Sequence, residues 1–161
     1  MADGDTTYKL RPDRQRWTHM ALHVKDIDAS IAWYEKHTHL KLLEQREDMY
    51  GFGAWLGDPE QANSPFVLVL AQFLEGKDPF APAKHPALGP FAHIGIEVPE
   101  RRTIDDIAAT AKREGCLILG PTQMPPPVGY ICFLRDPDGN NVEFSFDQGV
   151  YEKAKEIWGG Q

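Results

Sequence analysis

A carboxylate within an apolar strand pattern is the residue of this sequence with the clearest potential for chemistry. After a predicted tight turn at residues 136–140, Val142, Phe144 and Phe146 share one face of a predicted strand, and Glu143 lies on the other. Burying a charge is costly unless that charge is paired or bound to a metal ion. The pattern therefore predicts that Glu143 has a cationic partner elsewhere in the chain.

Two histidines lie on similar strand patterns. Residues 17–24 and 91–98 each alternate between apolar and polar positions, which is typical of a strand with one face in a core. The polar faces carry His19, Ala21 and His23 in the first segment, and His93, Gly95 and Glu97 in the second. A single histidine on such a face is also typical of an exposed or hydrogen-bonded residue. The pattern alone leaves both interpretations open.

These segments belong to an internal repeat. THMALHVKDIDASIAWY aligns with AHIGIEVPERRTIDDIA, which places His19 over His93, and GFGAWLGDPE aligns with GYICFLRDPD, which places Gly51 over Gly129. The separation between the aligned residues is nearly constant. The repeat therefore indicates two copies of one structural unit rather than a chance match.

Each half is predicted to contain one strand, one helix and three further strands. Asp28 and Thr103 are the predicted N-caps of the two helices. The predicted fold class is α+β, with two βαβββ modules related by a pseudo-twofold axis. They would form a curved mixed β-sheet cleft with the helices outside.

Proline and charge patterns mark the predicted boundaries. Residues 74–90 contain four prolines and are predicted to be a linker between the halves. The predicted organisation is a flexible N-terminal arm at 1–15, a first module at 16–73, the linker at 74–90, a second module at 91–148 and a C-terminal helix and tail at 149–161.

Composition excludes several classes of protein. The 161 residues are 42% hydrophobic and 25% charged, with a formal net charge of −7, which argues against nucleic acid or an anionic membrane as the main partner. No run approaches the roughly 18 apolar residues of a membrane helix, and the first residues lack the apolar segment of a signal peptide. Cys116 and Cys132 form neither a disulfide framework nor a zinc-type motif. The cytoplasm is therefore the predicted location.

The aligned motifs, together with FLRDPDGNNVEF, resemble the vicinal oxygen chelate superfamily over residues 17–148. Its members include glyoxalase I, extradiol dioxygenases, methylmalonyl-CoA epimerase, and fosfomycin and bleomycin resistance proteins. The resemblance implies that His19, His93 and Glu143 are metal ligands. Such a set suits Fe²⁺ best, and Mn²⁺, Ni²⁺, Co²⁺ or Zn²⁺ are alternatives.

The sequence departs from the family patterns at several positions. The counterpart of Glu143 in the first half is Val67 or Val69, neither of which can bind a metal. Gln72 is a fallback ligand under a shifted alignment. Phe133 stands where the extradiol enzymes have a tyrosine, which removes one expected proton carrier.

The remaining cleft candidates are largely aromatic and polar. His23, two residues from His19, is an alternative acid–base group or a residue at the cleft rim. The predicted substrate-binding residues are Trp55, Ile131, Phe133, Glu97 and Ser145. An apolar wall beside a metal suits a small organic ligand.

Two functions follow from this pattern. The first is a metal-dependent enzyme, either a glyoxalase-like lyase or isomerase or a ring-cleaving dioxygenase, in which the metal polarises a substrate held through vicinal oxygens. The alternative is a non-catalytic protein that sequesters a small molecule, as the bleomycin-resistance relatives do. A homodimer is expected in either case, and the cleft could form within one chain or between two.

Overall fold

A computed structural model describes residues 14–63 and 65–159. The predicted N-terminal arm lies almost entirely outside these residues. The first module comprises β1 (His19–His23), α1 (Ile27–His37), β2 (Lys41–Glu47), β3 (Gly51–Gly57) and β4 (Val67–Phe73), with a short 3-10 turn at Pro59–Gln61. The second comprises β5 (Ile94–Glu97), α2 (Arg101–Glu114), β6 (Leu117–Gln123), β7 (Tyr130–Arg135) and β8 (Asn141–Phe146), and α3 (Val150–Trp158) follows it.

The two modules have the same strand topology, which confirms the predicted repeat. The first sheet has the order β1-β4-β3-β2 and the second the order β5-β8-β7-β6, so each is an open four-stranded sheet. The first strand of each module pairs in parallel with the last, and the other pairs are antiparallel. The fold is thus α+β with two βαβββ modules.

A glycine opens the second strand of each hairpin for the same steric reason. Gly51 has φ 150°, and a Cβ there would lie 2.0 Å from the carbonyl oxygen of Gln72. Gly129 has φ 84°, and its Cβ would lie 2.3 Å from the carbonyl oxygen of Phe146. Because real Cβ atoms do not approach an oxygen so closely, both positions require glycine. The repeat in the sequence thus has a backbone cause here.

Several predicted element ends were wrong by a few residues. The N-cap of α1 is Asp26, whose side chain accepts a hydrogen bond from the amide of Ala29, rather than Asp28. The N-cap of α2 is Glu100 without a side-chain bond, rather than Thr103. The fifth strand begins at Ile94, so His93 immediately precedes it instead of lying within it. Local cap and strand patterns fit neighbouring positions almost equally well, which explains these shifts.

One apolar core spans both modules. The inward faces of the sheets and of α1 and α2 contribute to it, including Leu22, Leu70, Tyr34, Ile104, Leu134 and Phe144. Cys132 is also fully buried there, and burial raises the pKa of its thiol to about 12. Ala21, Glu143 and Ser145 alternate with core residues along their strands and lie on the opposite sheet faces.

The modules are joined by a buried hydrogen-bond network. The Tyr34 hydroxyl of α1 donates to Asp136 Oδ2 at 2.8 Å, and the side-chain amide of Asn140 donates to the same oxygen at 2.8 Å. Asp136 Oδ1 accepts from the backbone amides of Asp138 and Asn140. This turn therefore connects β7 to β8 and also binds the helix of the other module.

Tyr34→Phe is expected to lower the free energy of unfolding by about 1.5–3 kcal/mol, the range for a hydrogen bond to a charged group. Burial, together with Asp136, raises the pKa of Tyr34 well above its ordinary value of 10.0. Because the raised pKa belongs to the folded state, this contribution is present below pH 10 and is lost above it. Urea unfolding of the wild-type protein should therefore show a steeper loss of stability above pH 10 than that of Tyr34→Phe. Tyr151→Phe, at an exposed position, is the control, and identical alkaline profiles for all three proteins would contradict the prediction.

Candidate functional site

The second module brings a histidine and a carboxylate face to face. His93 Nε2 lies 3.3 Å from Glu143 Oε2, with the Glu143 side chain 6% exposed and the His93 side chain 28% exposed. His93 ends the loop before β5, and Glu143 lies in the middle of β8, which pairs directly with β5. Glu143 is thus a buried carboxylate beside an imidazole, and its role as a metal ligand stays a prediction.

A neighbouring hydrogen bond determines which ring nitrogen of His93 carries a proton. His93 Nδ1 lies 2.6 Å from the carbonyl oxygen of Phe91, and a carbonyl can only accept, so Nδ1 donates. Nε2 of the neutral ring is then an acceptor that faces a second acceptor, Glu143 Oε2. Two acceptors at this distance repel unless a proton or a cation lies between them. A shared proton or a bound metal ion between Nε2 and Oε2 would remove this repulsion.

Gln148 orients the carboxylate of this pair. Its side-chain amide donates to Glu143 Oε1 at 3.2 Å, and its backbone amide donates to Glu97 Oε1 at 3.1 Å. Asp147, with φ 63°, and Gly149, with φ 75°, flank it in left-handed conformations that turn the chain after β8. Gln148 thereby holds Glu143 Oε1 and leaves Oε2 directed at His93. Sequence analysis missed Gln148, since nothing in the local pattern shows that the chain turns back here.

The strand register places an aromatic residue beside the pair. Gly95, Glu143 and Phe133 are direct neighbours across β5, β8 and β7. The Phe133 ring meets the His93 ring edge-on, with centroids 5.3 Å apart. Glu97, Ser145 and Ile131 form the next row of the same face. All four predicted substrate-binding residues of the second module therefore lie beside His93 and Glu143.

The first module presents a matching row without a carboxylate. Ala21, Val69 and Trp55 are neighbours across β1, β4 and β3, in the same positions as Gly95, Glu143 and Phe133. The register thus identifies Val69, rather than Val67, as the counterpart of Glu143. Gln72 is not a free ligand, because its side-chain oxygen accepts a hydrogen bond from the amide of Ile27 at 2.8 Å.

Within one chain, His19 does not join the other two predicted ligands. His19 is exposed, and its Nδ1 lies 2.9 Å from Thr18 Oγ1. Among residues 14–63 and 65–159, the ligand atoms of His19, His93 and Glu143 do not form a group within 4.8 Å of one another. The pair and the lone histidine are thus two separate parts of the predicted site.

His23 contacts the linker instead of the pair. Its ring stacks on His85 at 4.4 Å and on Phe73 at 5.5 Å, and His85 Nε2 lies 2.7 Å from Asp78 Oδ2. Burial, and then the neighbouring His85, lower the pKa of His23, so its ring is neutral near pH 7. This environment favours an aromatic packing role over proton transfer. The linker contacts were not predictable from the proline pattern.

A second group of potential ligands lies where α1 and α2 end. In the part of the chain that the structure describes, one cluster brings three potential ligand atoms within 4.8 Å of one another. Its members are His37, Glu114 and Cys116. His37 Nε2 lies 2.9 Å from Glu114 Oε2, and Lys36 pairs with the other oxygen of the same carboxylate. Because the Lys36 ammonium group already pairs with the Glu114 carboxylate, we interpret this cluster as an ion-pair contact between the modules. No local sequence pattern predicts this cluster, because its residues come from different halves of the chain.

The doubled βαβββ architecture, with two open four-stranded sheets of the same strand order, defines the structural class of the protein. A family model for the Glyoxalase/Bleomycin resistance protein/Dioxygenase superfamily matches residues 16–144. The chain belongs to this superfamily. In the described part of the chain, no helix is both long and apolar enough to cross a membrane.

The chain is similar to two individual proteins in sequence and to a third in fold. The chain is 38% identical over 131 residues to the uncharacterized protein PA2024 of Pseudomonas aeruginosa, covering 81% of this chain and 88% of that protein. It is 32% identical over 145 residues to a probable chloroplastic lactoylglutathione lyase of Arabidopsis thaliana, covering 83% of this chain but only 36% of that protein. The structure of TnmS3, an antibiotic binding protein from Streptomyces sp. CB03234, matches with a TM-score of 0.59 at 17% identity, covering 84% of this chain and 98% of TnmS3. The last similarity concerns the fold alone.

Proposed function

We propose that the protein is a metal-dependent enzyme that acts on a small organic substrate through two vicinal oxygens. The supporting observation is the 3.3 Å approach of His93 Nε2 to Glu143 Oε2, with Nδ1 of the histidine already donating to a carbonyl. A cation between these groups removes the repulsion of two acceptors. The residues present therefore fit a divalent metal ion.

His93, Glu143 and His19 are the proposed ligands, with His19 supplied by a second copy of the chain. His19 is exposed and apart from the pair in one chain, so a homodimer that shares each site between two copies accounts for both facts. Two imidazoles and one carboxylate suit Fe²⁺ best, with Mn²⁺, Ni²⁺, Co²⁺ and Zn²⁺ as alternatives. The bound ion would supply Lewis acidity toward the substrate oxygens.

The chain's own residues favour a lyase or isomerase over a ring-cleaving dioxygenase. Phe133 contacts His93 edge-on and carries no proton to transfer, whereas Glu97 offers a carboxylate on the same face. Gln148 holds the Glu143 carboxylate in place. The similarity to a probable lactoylglutathione lyase supports the same subclass. Free cysteines at positions 116 and 132 fit a cytoplasmic location.

A non-catalytic binding role is the second candidate. Trp55 is 38% exposed on the concave face of the first module, and Phe133 occupies the equivalent place in the second. Such aromatic walls also suit simple capture of an organic molecule. The antibiotic binding protein TnmS3 has a similar fold.

Metal analysis of protein purified without chelator is the first test, followed by a panel of hemithioacetals and catechols. Bound metal with turnover of a hemithioacetal is the expected result. Turnover of a catechol by iron-loaded protein would shift the proposal to a dioxygenase. Tight binding of a panel member without turnover, in protein free of metal, would support the binding role and contradict the enzyme.

A further inference from the structure

An arginine on the concave face of the first module has no acidic partner. Arg46 of β2 lies opposite Gly53 of β3, and Gly53 lies opposite Ala71 of β4, so the three residues form one row on the same sheet face as Trp55. Within residues 14–63 and 65–159, no carboxylate forms an ion pair with the Arg46 guanidinium group. Because arginine is not deprotonated in proteins, this cation is available to a ligand.

The small residues of this row leave open space beside the cation. A Cβ built on Gly53 would lie 3.5 Å from Arg46 Nε and 3.7 Å from Arg46 Cγ, so the arginine side chain lies over the glycine. A cavity of about 150 Å³ is lined by Arg46, Gly53, Ala71 and Trp55. Arg46 and Trp55 are exposed, so the cavity opens to solvent. A cavity of roughly this volume accepts one benzene ring.

The linker supplies an aromatic wall of the same cavity. Pro79 and Phe80 line it, and the centroid of the Phe80 ring lies 6.2 Å from that of Phe73 and 6.1 Å from that of His85. His85 Nε2 in turn lies 2.7 Å from Asp78 Oδ2. These contacts hold the linker against the sheet, so the wall is already formed without a ligand.

The charges around the cavity favour an anionic ligand. Asp48 is the one acidic residue of the lining among the described residues, and its Oδ1 accepts the backbone amides of Tyr50 at 2.8 Å and of Gly51 at 3.3 Å. These bonds hold the Asp48 carboxylate in the turn between β2 and β3. Glu44, two residues from Arg46 on the same face, does not line the cavity. The planar guanidinium group of Arg46 can therefore donate two parallel hydrogen bonds to a carboxylate of the ligand.

We propose that this cavity binds a small aromatic carboxylate, with the carboxylate on Arg46 and the ring between Trp55 and Phe80. The inference goes beyond the proposed function, because the cavity contains none of the proposed metal ligands and requires no metal ion. Its volume limits the ligand to about one ring. The formal net charge of −7 disfavours general uptake of anions, so binding of a carboxylate here depends on the local cation.

Benzoate and benzamide test the carboxylate contact, because they have nearly the same shape and differ in charge. The readout is the Trp55 indole signal in proton–nitrogen NMR spectra of chelator-treated protein, identified by its loss in Trp55→Phe. Benzoate should shift this signal saturably, with a Kd on the order of 1 mM, and benzamide should bind at least about 5-fold more weakly. Arg46→Gln should reduce this preference to below about 2-fold. Arg135→Gln, at an exposed strand position of the second module, should leave it unchanged.

Phe80→Ala tests the aromatic wall. Phe80 is exposed, so its replacement leaves the core intact. The variant should bind both probes about 2–10-fold more weakly and keep the ratio of their affinities. A Trp55 signal that does not respond to benzoate, equal binding of the two probes by the wild type, or an unchanged preference in Arg46→Gln would each overturn the carboxylate site. Unchanged affinity for both probes in Phe80→Ala would overturn the position of the ring, and the proposal with it.

Discussion

Glu143→Ala and His93→Ala are each expected to weaken metal binding by about 100-fold or more. Even outer partners of metal ligands cost 10–100-fold when they are mutated, so loss of a ligand should exceed that range. Each change also removes one of the two groups that approach to 3.3 Å. Titration of metal-free protein with Zn²⁺ or Fe²⁺ under anaerobic conditions, followed by calorimetry, measures the effect.

Exposed residues of the same types provide the controls for this measurement. His39 is largely exposed near Asp58, and Glu156 is exposed on α3, where it pairs with Lys153. His39→Ala and Glu156→Ala should bind metal as tightly as the wild type. Unchanged metal affinity in His93→Ala and Glu143→Ala would contradict the metal site, and a shared proton would then join the two side chains.

Mixed dimers of His19→Ala and Glu143→Ala chains are expected to hold roughly half of the wild-type metal per chain, although each variant alone holds little. In a twofold dimer that shares its sites, one site of the mixed dimer loses both groups, while the other keeps both. The restored site combines His19 from the Glu143→Ala chain with Glu143 from the His19→Ala chain. Different affinity tags on the two chains allow purification of the mixed dimer before metal analysis.

The outcome of mixing separates a shared site from an intact site within one chain. If each chain held a complete site, every chain of the mixed dimer would still lack one ligand. The metal content would then stay at the level of the two parent variants, which would contradict sharing. Dimers of two His19→Ala chains and of two Glu143→Ala chains, carried through the same purification, supply that baseline.

Local patterns were sufficient for most of the architecture. The alternation in residues 17–24, 91–98 and 141–146 predicted the strands, and the alignment of Gly51 with Gly129 predicted the hairpins in which a Cβ would strike a neighbouring carbonyl. Element ends such as Asp26 and Glu100 were less predictable, because adjacent residues fit a cap position almost equally well.

The sequence by itself determined the doubled fold and the place of the Glu143 carboxylate within a strand, because period-two alternation is a local property. The cost of a buried charge predicted a partner for that carboxylate. Only the tertiary structure decided that His93 is the partner within the chain, that Val69 is the empty counterpart of Glu143, and that His19 lies elsewhere. The contact of Gln148 with Glu143 also emerged only there. These features depend on strand register and on a left-handed turn after β8, and both are set by contacts between residues distant in the sequence.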